Sequence, residues 1–281
     1  MFKRSIMVAA SLLGTACGGG GVAEDIVPNP LEGFDCALLN CKESNTVSTD
    51  NVSPRFTITQ ANGRVHVDAW LSQSANLLTT LLPSPGDSLT ASDGDAPPVK
   101  LRGESGNRQR WVTDFADANA QPRITVNFVR NGLVYPNVVT MPKPFSITSP
   151  VGVLQIRRST GQFDVQFASD DLQNVTLTTD ASCTRSDHSS FTSKDVLLGP
   201  QQDARDPSLF HISTLALDTA LNNASVNASQ NNPSLSPVAS CSLTLNWKIL
   251  VRGTVAPELN QHGSIVATRT VGQAASYNAG S

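Results

Sequence analysis

The most constraining feature of the chain is an alternation of apolar and polar residues with a period of two. It is clearest in Cys241-Ser-Leu-Thr-Leu-Asn-Trp-Lys-Ile249, where every second residue is apolar. Residues 64–71 and 122–128 alternate in the same way. Successive side chains of a strand point to opposite faces, so this pattern is typical of half-buried strands in an antiparallel sheet. The sequence therefore predicts an all-β protein.

Glycine and proline clusters separate the alternating runs. They lie at residues 83–87, 93–98 and 103–106, and they predict turns between short strands. No long segment carries an amphipathic helical stripe, and the short segment 71–82 is the best helical candidate.

A weak internal repeat suggests two units. Phe56-Thr-Ile-Thr-Gln-Ala-Asn-Gly-Arg-Val-His-Val67 aligns with Leu154-Gln-Ile-Arg-Arg-Ser-Thr-Gly-Gln-Phe-Asp-Val165, and both predict a strand, a glycine turn and a second strand. Residues 124–128 align with 243–247 at a larger offset, which predicts an insertion in the second copy. The polar segments 222–237 and 182–206 are the candidates for that insertion.

The proline-rich segment 141–150 is a natural seam between the two copies. Short strands in units of about 100 residues fit a β-sandwich. The arrangement resembles the tandem immunoglobulin-like domains of bacterial surface and periplasmic proteins. The resemblance implies one sandwich over residues 49–143 and a second over 144–281, and it carries no functional residues across.

The first 17 residues have the form of an export signal. Lys3 and Arg4 precede an apolar run over residues 6–13, which is too short to span a bilayer as a helix. Leu13-Gly-Thr-Ala-Cys17 resembles the lipobox of bacterial lipoproteins, with Gly14 at the position where leucine is commonest. The resemblance implies a signal peptide over 1–16 and a Cys17 that carries acyl chains such as palmitate. Gly18 after that cysteine implies sorting to the outer membrane.

Residues 17–48 are expected to form a glycine-rich tether with a small disulfide loop. With Cys17 acylated, four cysteines remain: Cys36, Cys41, Cys183 and Cys241. An even number in an exported protein indicates disulfides, and four cysteines allow three connectivities. We favour Cys36–Cys41 and Cys183–Cys241, because each pair lies within one region. A zinc site has less support, because no Cys-x-x-Cys pair occurs.

The chain lacks the common signatures of catalysis and of cofactor binding. It has no Gly-x-Ser-x-Gly, Ser-x-x-Lys or His-Glu-x-x-His motif and no phosphate-binding glycine loop. Asp187-His188 lies near Ser186, but adjacency in sequence is not the geometry of a catalytic triad. The sequence thus predicts no catalytic residues and no cofactor.

Loop carboxylates are a second sequence feature that could point to a metal. They lie at 93–95 and at 114–119, and they leave calcium as an alternative to ordinary turn chemistry. We expect no metal. The net charge of −3, without a basic stripe, also argues against nucleic acid as a partner.

The three tryptophans have different expected environments. Trp247 shares the apolar face of its run with Cys241, so we expect it in the core, and we expect Trp111 to be buried as well. Trp70 shares the polar face of its run with His66 and Asp68. It is the candidate ligand contact, for stacking on a sugar ring or on a partner's side chain, although packing at a sheet edge would also explain it.

These observations predict a lipid-anchored, non-catalytic structural or binding module of the bacterial cell envelope. Its partners would be the membrane, through the lipid, and an envelope protein or a glycan. The first alternative is a carbohydrate-binding or accessory lipoprotein of a polysaccharide system that uses Trp70. The second is an enzyme with a site built from loops. The sequence leaves open whether the protein faces the periplasm or the cell surface.

Overall fold

The structure is a computed structural model that describes residues 40–94, 96–105, 107–169, 172–229 and 236–280. Cys17 and Cys36 lie outside the described residues, as do the predicted signal peptide and most of the tether. The strands are β1 (Cys41–Glu43), β2 (Val52–Ala61), β3 (Arg64–Gln73), β4 (Asn76–Leu82), β5 (Asp87–Ser92), β6 (Val99–Lys100), β7 (Arg102–Glu104), β8 (Asn107–Ala116), β9 (Arg123–Arg130), β10 (Leu133–Thr140), β11 (Ile147–Ser149), β12 (Leu154–Arg157), β13 (Gln162–Phe167), β14 (Val175–Arg185), β15 (Ser190–Leu198), β16 (Gln201–Gln202), β17 (Leu209–Ser213), β18 (Val238–Arg252) and β19 (Ser264–Asn278). The α-helix is α1 (Thr214–Ala228), and short 3-10 turns lie at Ser44–Thr46, Thr49–Asn51 and Arg158–Thr160.

The strands form one large sheet and two small ones, which confirms the all-β prediction. The main path of the eleven-stranded sheet runs β1-β4-β3-β2-β19-β18-β14-β15, with β8 beside β3, β7 beside β8 and β12 beside β19. One four-stranded sheet has the order β10-β9-β5-β6, and the other has the order β11-β13-β17-β16. Each small sheet contributes to a separate hydrophobic core together with strands of the large sheet.

The first core lies between β2 and β3 on one side and β5 and β9 on the other. The inward side chains of β3 are those that the alternation predicts, with Val65, Val67, Ala69 and Leu71 fully buried. Strands β2 and β3 are joined by Asn62-Gly63, and both residues have positive φ angles of 51° and 70°. Asn-Gly in this conformation is the preferred two-residue hairpin turn, since its twist matches that of the strands.

The second core is built around Trp247, which is fully buried as predicted. Phe167 and Phe210 pack against its indole edge to face, with ring centroids 5.0 and 5.7 Å away. Cys183 and Cys241 are direct partners across β14 and β18 and form a disulfide, which confirms that predicted pair. The Cys36–Cys41 pair stays a prediction, because Cys36 is outside the described residues.

Strands β18 and β19 form a hairpin that passes through both units. The first part of β19, Ser264 to Thr268, pairs in parallel with β2, and its last part pairs in parallel with β12. Ile265 therefore lies in the first core and Tyr277 in the second. Residues 251–268 fall within the predicted second domain, 144–281, yet they supply part of the first core.

The aligned segments of the internal repeat take different positions. Residues 56–67 form the β2–β3 hairpin, whose strands pair with each other. In the second segment β12 joins the large sheet while β13 joins a small one. Residues 124–128 lie in β9 and residues 243–247 in β18, again in different sheets. The sequence repeat is therefore not a repeat of structure, and the resemblance to tandem immunoglobulin-like domains stays a prediction.

The helix assignment from the sequence was wrong. Residues 71–82 contain the end of β3, a turn at residues 74–75 and β4, and Leu71 and Leu81 lie in the first core. The helix among the described residues is α1, which begins before the polar segment 222–237 and overlaps its first residues. Leu217, Leu221 and Ala224 are its buried apolar residues, and the Ser213 side chain accepts a hydrogen bond from the Ala216 amide at its start. Apolar residues also lie on the exposed side of α1, such as Leu215 at 70% exposure, so its amphipathic stripe is weak in the sequence.

The end of the predicted tether is docked on the first unit. Strand β1 pairs in parallel with β4, and the Ser44 side chain is fully buried. The guanidinium of Arg130 donates to the Ser44 and Val47 carbonyl oxygens at 2.5 and 3.0 Å and pairs with Asp87 at 3.2 Å. A buried cation is stable only when paired and hydrogen-bonded, so this network fixes residues 44–47 against β9.

Gly253, where the hairpin meets β10, is expected to tolerate no side chain. A Cβ there would lie 2.1 Å from the Val138 carbonyl oxygen and 2.7 Å from the Val139 Cβ. We expect Gly253→Ala to lower the free energy of unfolding by about 1–3 kcal/mol, as overpacking does. Urea unfolding monitored by tryptophan fluorescence measures this change in the free energy of unfolding. Gly199→Ala is the control, because a Cβ at Gly199 meets nothing within 4 Å. Equal midpoints for the two variants would contradict the expectation.

The disulfide is expected to add substantially to stability. It joins cysteines 58 residues apart, and a loop of that length corresponds to about 4 kcal/mol in chain-entropy models. We expect the double variant Cys183→Ala/Cys241→Ala to unfold at a clearly lower urea concentration than the oxidised wild-type protein. The reduced wild-type protein should unfold at a similarly lowered concentration. An unchanged midpoint in both samples would show that the bond does not constrain the unfolded chain.

Candidate functional site

Trp70 lies on the outer face of the large sheet, as the sequence predicted. Its strand, β3, has its other face in the first core, and Trp70 is partly exposed. Directly across on β2 is the exposed Arg55. The structure therefore places Trp70 among charged side chains on a solvent-facing surface.

An ion-pair network surrounds Trp70 on the same face. Arg110 on β8 pairs with Asp68 at 2.5 Å and with Glu104 at 3.2 Å. These side chains are between about a quarter and a third exposed, so the contacts contribute little stability by themselves. The pKa of Arg110 is raised, chiefly by the hydrogen bond to Asp68. Its charge is thus held in place by two carboxylates.

A groove of about 810 Å³ opens at the edge of the first unit, beside this face. Here the chain leaves the small sheet after β6 and enters the large sheet at β7, with Leu101 buried at the crossing. The strand β8 forms the opposite wall. The residues that define the groove are Val99, Lys100, Arg102, Trp111, Val112 and Thr113.

The residues around the groove belong to both faces of the β7–β8 pair, since Trp111 is opposite the buried Ala69 and Arg102 is opposite Val112. Trp111 packs against the first core but is only partly buried, so the expectation that it is buried holds for one side of the ring. Lys100 and Arg102 are exposed, and neither forms an ion pair among the described residues. Asp114, at the end of the groove, lies 3.0 Å from the His66 ring. Sequence reasoning missed this site, because Lys100 and Arg102 look like an ordinary polar turn.

A second, smaller groove of about 500 Å³ separates β15 from α1. It is lined by the strand from Thr192 to Leu197 and by small or amide side chains of the helix such as Ala224 and Asn227. Of its charged residues, Asp195 pairs with Lys248 at 2.8 Å and Lys194 is exposed.

The sequence candidates for catalysis and for calcium do not come together. The Asp187 carboxylate accepts hydrogen bonds from the Ser189 amide and hydroxyl at 3.0 and 2.7 Å, and it makes no contact with the His188 ring. The Asp117 carboxylate accepts from the Asn119 amide, which is ordinary turn chemistry. Asp95 lies outside the described residues. Within the described ranges no three histidine, cysteine or acidic side chains are grouped to hold a metal.

His211, on β17, sits between two carboxylates. Its Nδ1 lies 2.8 Å from Asp164, and its Nε2 lies 3.1 Å from Asp203. A carboxylate can only accept, so the contacts are complete when both ring nitrogens are protonated. The hydrogen bonds to Asp164 and then Asp203 raise the pKa of His211, while the bond to His211 and backbone amides lower that of Asp203 to about 2. The ring lies between the acids, so the three do not converge on one metal position.

This arrangement predicts a pH-dependent contribution to stability. The pKa of His211 is raised in the folded state, so its contribution is complete below about pH 6.5 and is lost as the pH rises through the raised value. The contribution of Asp203 is present above about pH 4 and is lost as the pH falls towards 2. We expect His211→Gln to lower the thermal midpoint more at about pH 5.5 than at about pH 9. His262→Gln, on an exposed residue, is the control. An equal decrease of the thermal midpoint at both pH values would contradict the stabilising role given to protonated His211.

No protein-family model matches the chain, and no curated protein shows significant sequence similarity to it. No helix among the described residues is long and apolar enough to cross a membrane.

Proposed function

We propose that the protein is a lipid-anchored, non-catalytic binding or structural module of the bacterial cell envelope. The proposal rests on Cys17, within Leu13-Gly-Thr-Ala-Cys17, as the point of acylation and attachment to the outer membrane. Two acyl chains give stable anchoring where a single chain would not. Whether the body faces the periplasm or the cell surface is decided by the experiment below.

The shape of the body supports a role in presentation. The large sheet is continuous through both units, and β18 and β19 contribute to both cores. Units joined in this way cannot swing freely about a linker, because movement would break the pairing of β19 with β2 or with β12. A stiff body on a lipid and a glycine-rich tether would present its exposed faces as one rigid unit.

The charged groups support binding rather than catalysis. Asp187 is engaged by Ser189, so the suggested serine, histidine and aspartate group has no relay geometry. His66 and His211 each face a carboxylate on an open sheet surface. Strongly perturbed groups in a deep cleft would favour an enzyme, and these groups lie on exposed strands.

A carbohydrate-binding or accessory lipoprotein of a polysaccharide system is the second candidate. The observation that favours it is the partly exposed Trp70, which lies among polar and charged side chains on the outer sheet face. An aromatic ring with polar neighbours is the usual composition of a site for an amphipathic ligand.

Anchoring is tested by labelling cells with a palmitate analogue. We expect the wild-type protein and a Cys36→Ser/Cys41→Ser variant to incorporate label and to fractionate with the outer membrane. A Cys17→Ser variant should lose both, because it lacks the acylated thiol. Label on the Cys17→Ser variant would overturn the proposal. Protease treatment of intact and permeabilised cells then shows which side of the membrane the body occupies.

A further inference from the structure

We propose that the outer face of the large sheet in the first unit binds an acidic polysaccharide, with its anionic groups on arginines and one sugar ring on Trp70. This face consists of the outward side chains of β2, β3, β8 and β7 and of the adjoining parts of β18 and β19. The inference rests on the proposed binding function and deepens it by naming the class of ligand. Three observations carry it: the strand register around Trp70, the charge of the face and its extent.

Trp70 lies between two arginines in the sheet. Arg55 on β2 is its direct cross-strand partner, and such partners have side chains on the same face with Cβ atoms about 4.5–5.5 Å apart. On the other side, the register between β3 and β8 makes Arg110 the neighbour of Trp70. The indole N–H of Trp70 forms no hydrogen bond with the described residues, so it is available to a ligand. A partly exposed aromatic ring beside cations suits the apolar face of a sugar that carries an acid.

The next row of side chains crosses six strands and has a cation at each end. These ends are Arg252 on β18 and Arg102 on β7, which are both exposed and form no ion pair with the described residues. Neighbouring strands are about 4.8 Å apart, so the row extends over about 24 Å. Each member is the direct strand partner of the next, and from β18 to β7 they are Arg252, Val266, Thr57, Asp68, Val112 and Arg102.

The charge of the face favours an anionic ligand. Its carboxylates are already engaged, since Asp68 and Glu104 both hold Arg110. The third carboxylate, Asp114, contacts the ring of His66. A guanidinium donates parallel hydrogen bonds to the oxygen atoms of an acidic group, and the arginines of this face other than Arg110 form no ion pair with the described residues. The arginines of the face are Arg55, Arg64, Arg102, Arg110 and Arg252.

The second unit shows that this concentration of arginine is local. There the outward side chains of β14, β18 and β19 are mostly hydroxyl-bearing or small, and Asp180 and Lys248 are the charged ones. The chain as a whole has a net charge of −3. The arginines are therefore gathered on the half of the sheet that carries Trp70. The outward side chains of the other half include Thr176, Ser182, Ser242, Thr244, Ala274 and Ser276.

The extent of the face indicates a polymer rather than a small ligand. Arginines at opposite ends of the row cannot contact one small anion, but they can contact successive acidic groups of an extended chain. Thr57 and Thr59 supply hydroxyl groups between the arginines, and the carboxylates of the face can accept hydrogen bonds from sugar hydroxyl groups. The same carboxylates oppose a nucleic acid, in which the charges are closely spaced. An acidic polysaccharide combines spaced anions, hydroxyl groups and an apolar ring face.

The experiment measures binding to the full chain carrying Cys17→Ser by isothermal titration calorimetry. The acidic sugars are hexagalacturonic acid, which carries carboxylates, and a heparin hexasaccharide, which also carries sulfates. Maltohexaose is the neutral sugar, hexaglutamate the acidic peptide and hexathymidylate the nucleic acid. We expect at least one acidic sugar to bind more tightly than these three probes, with an affinity that falls as salt is added.

Matched charge variants connect the binding to this face. We expect Arg55→Gln/Arg252→Gln to weaken binding by about tenfold, because two exposed charge contacts are lost. The control Arg157→Gln/Lys194→Gln removes the same charge from exposed positions on β12 and β15 and should leave the affinity unchanged.

A second set of variants tests the aromatic contact. We expect Trp70→Ala to weaken binding by about tenfold and Trp70→Phe, which keeps a ring, to weaken it much less. The control Leu197→Ala shortens a side chain that is 71% exposed in the second unit and should leave the affinity unchanged.

Several outcomes would overturn the proposal. They are no binding of either acidic sugar, equally tight binding of maltohexaose, hexaglutamate or hexathymidylate, and equal losses of affinity in the face variants and their controls. Urea midpoints of all variants show whether a loss of binding is only a loss of folding. Because the Cys17→Ser protein lacks the acylated thiol, failure here leaves the lipid anchor untouched, and failure of palmitate labelling leaves the sheet face untouched.

Discussion

The pairing of β18 with β19 is the interaction on which the rest of the structure depends. Val251 and Ile265 pack at the first core, and Leu243 and Tyr277 pack at the second, so one hairpin register serves two cores. A shift of one residue would turn every inward side chain of the hairpin outward. The hairpin connection packs closely against the first unit. A Cβ at Gly263 would lie 2.6 Å from Pro54, and one at Gly253 would also clash with its neighbours. The two units are therefore coupled through backbone pairing rather than through a linker.

The described arginines are of two kinds: some are buried and bonded within the fold, and others are exposed to solvent. Arg185 is 4% exposed, and its guanidinium contacts the Ser225 carbonyl and hydroxyl at the C-terminal end of α1. The partial negative charge of a helix C-terminus favours a cation there. Arg130 is held in the same manner by the carbonyl oxygens of residues 44 and 47 and by Asp87. Buried cations of this kind cost several kcal/mol if left without partners, so they are fully engaged.

Lys100 and Arg102 contrast with these buried cations. Both are exposed to water, where an unpaired charge costs little, and both lie on the wall of a groove that contains a tryptophan. Neither forms an ion pair with the described residues, so neither charge holds the fold together in the way that the buried arginines do.

The local patterns of the sequence determined the strands, the turns and one disulfide. The alternation in 241–249 and 64–71 predicted which side chains face a core, because a strand places successive side chains on opposite faces whatever its partners are. It also placed Trp70 on the outer face. The Cys183–Cys241 pair was favoured for another reason, since both cysteines lie in the same late region of the chain. Only the tertiary structure decided which strands pair, since the backbone groups that hydrogen-bond between strands are the same for almost every residue type. For this reason the apparent repeat proved not to be structural, α1 became visible only as the cover of β15, and the hairpin was found to contribute to both cores. The groove likewise exists because β6, β7 and β8 meet where the two sheets separate, which no spacing within 99–114 could reveal.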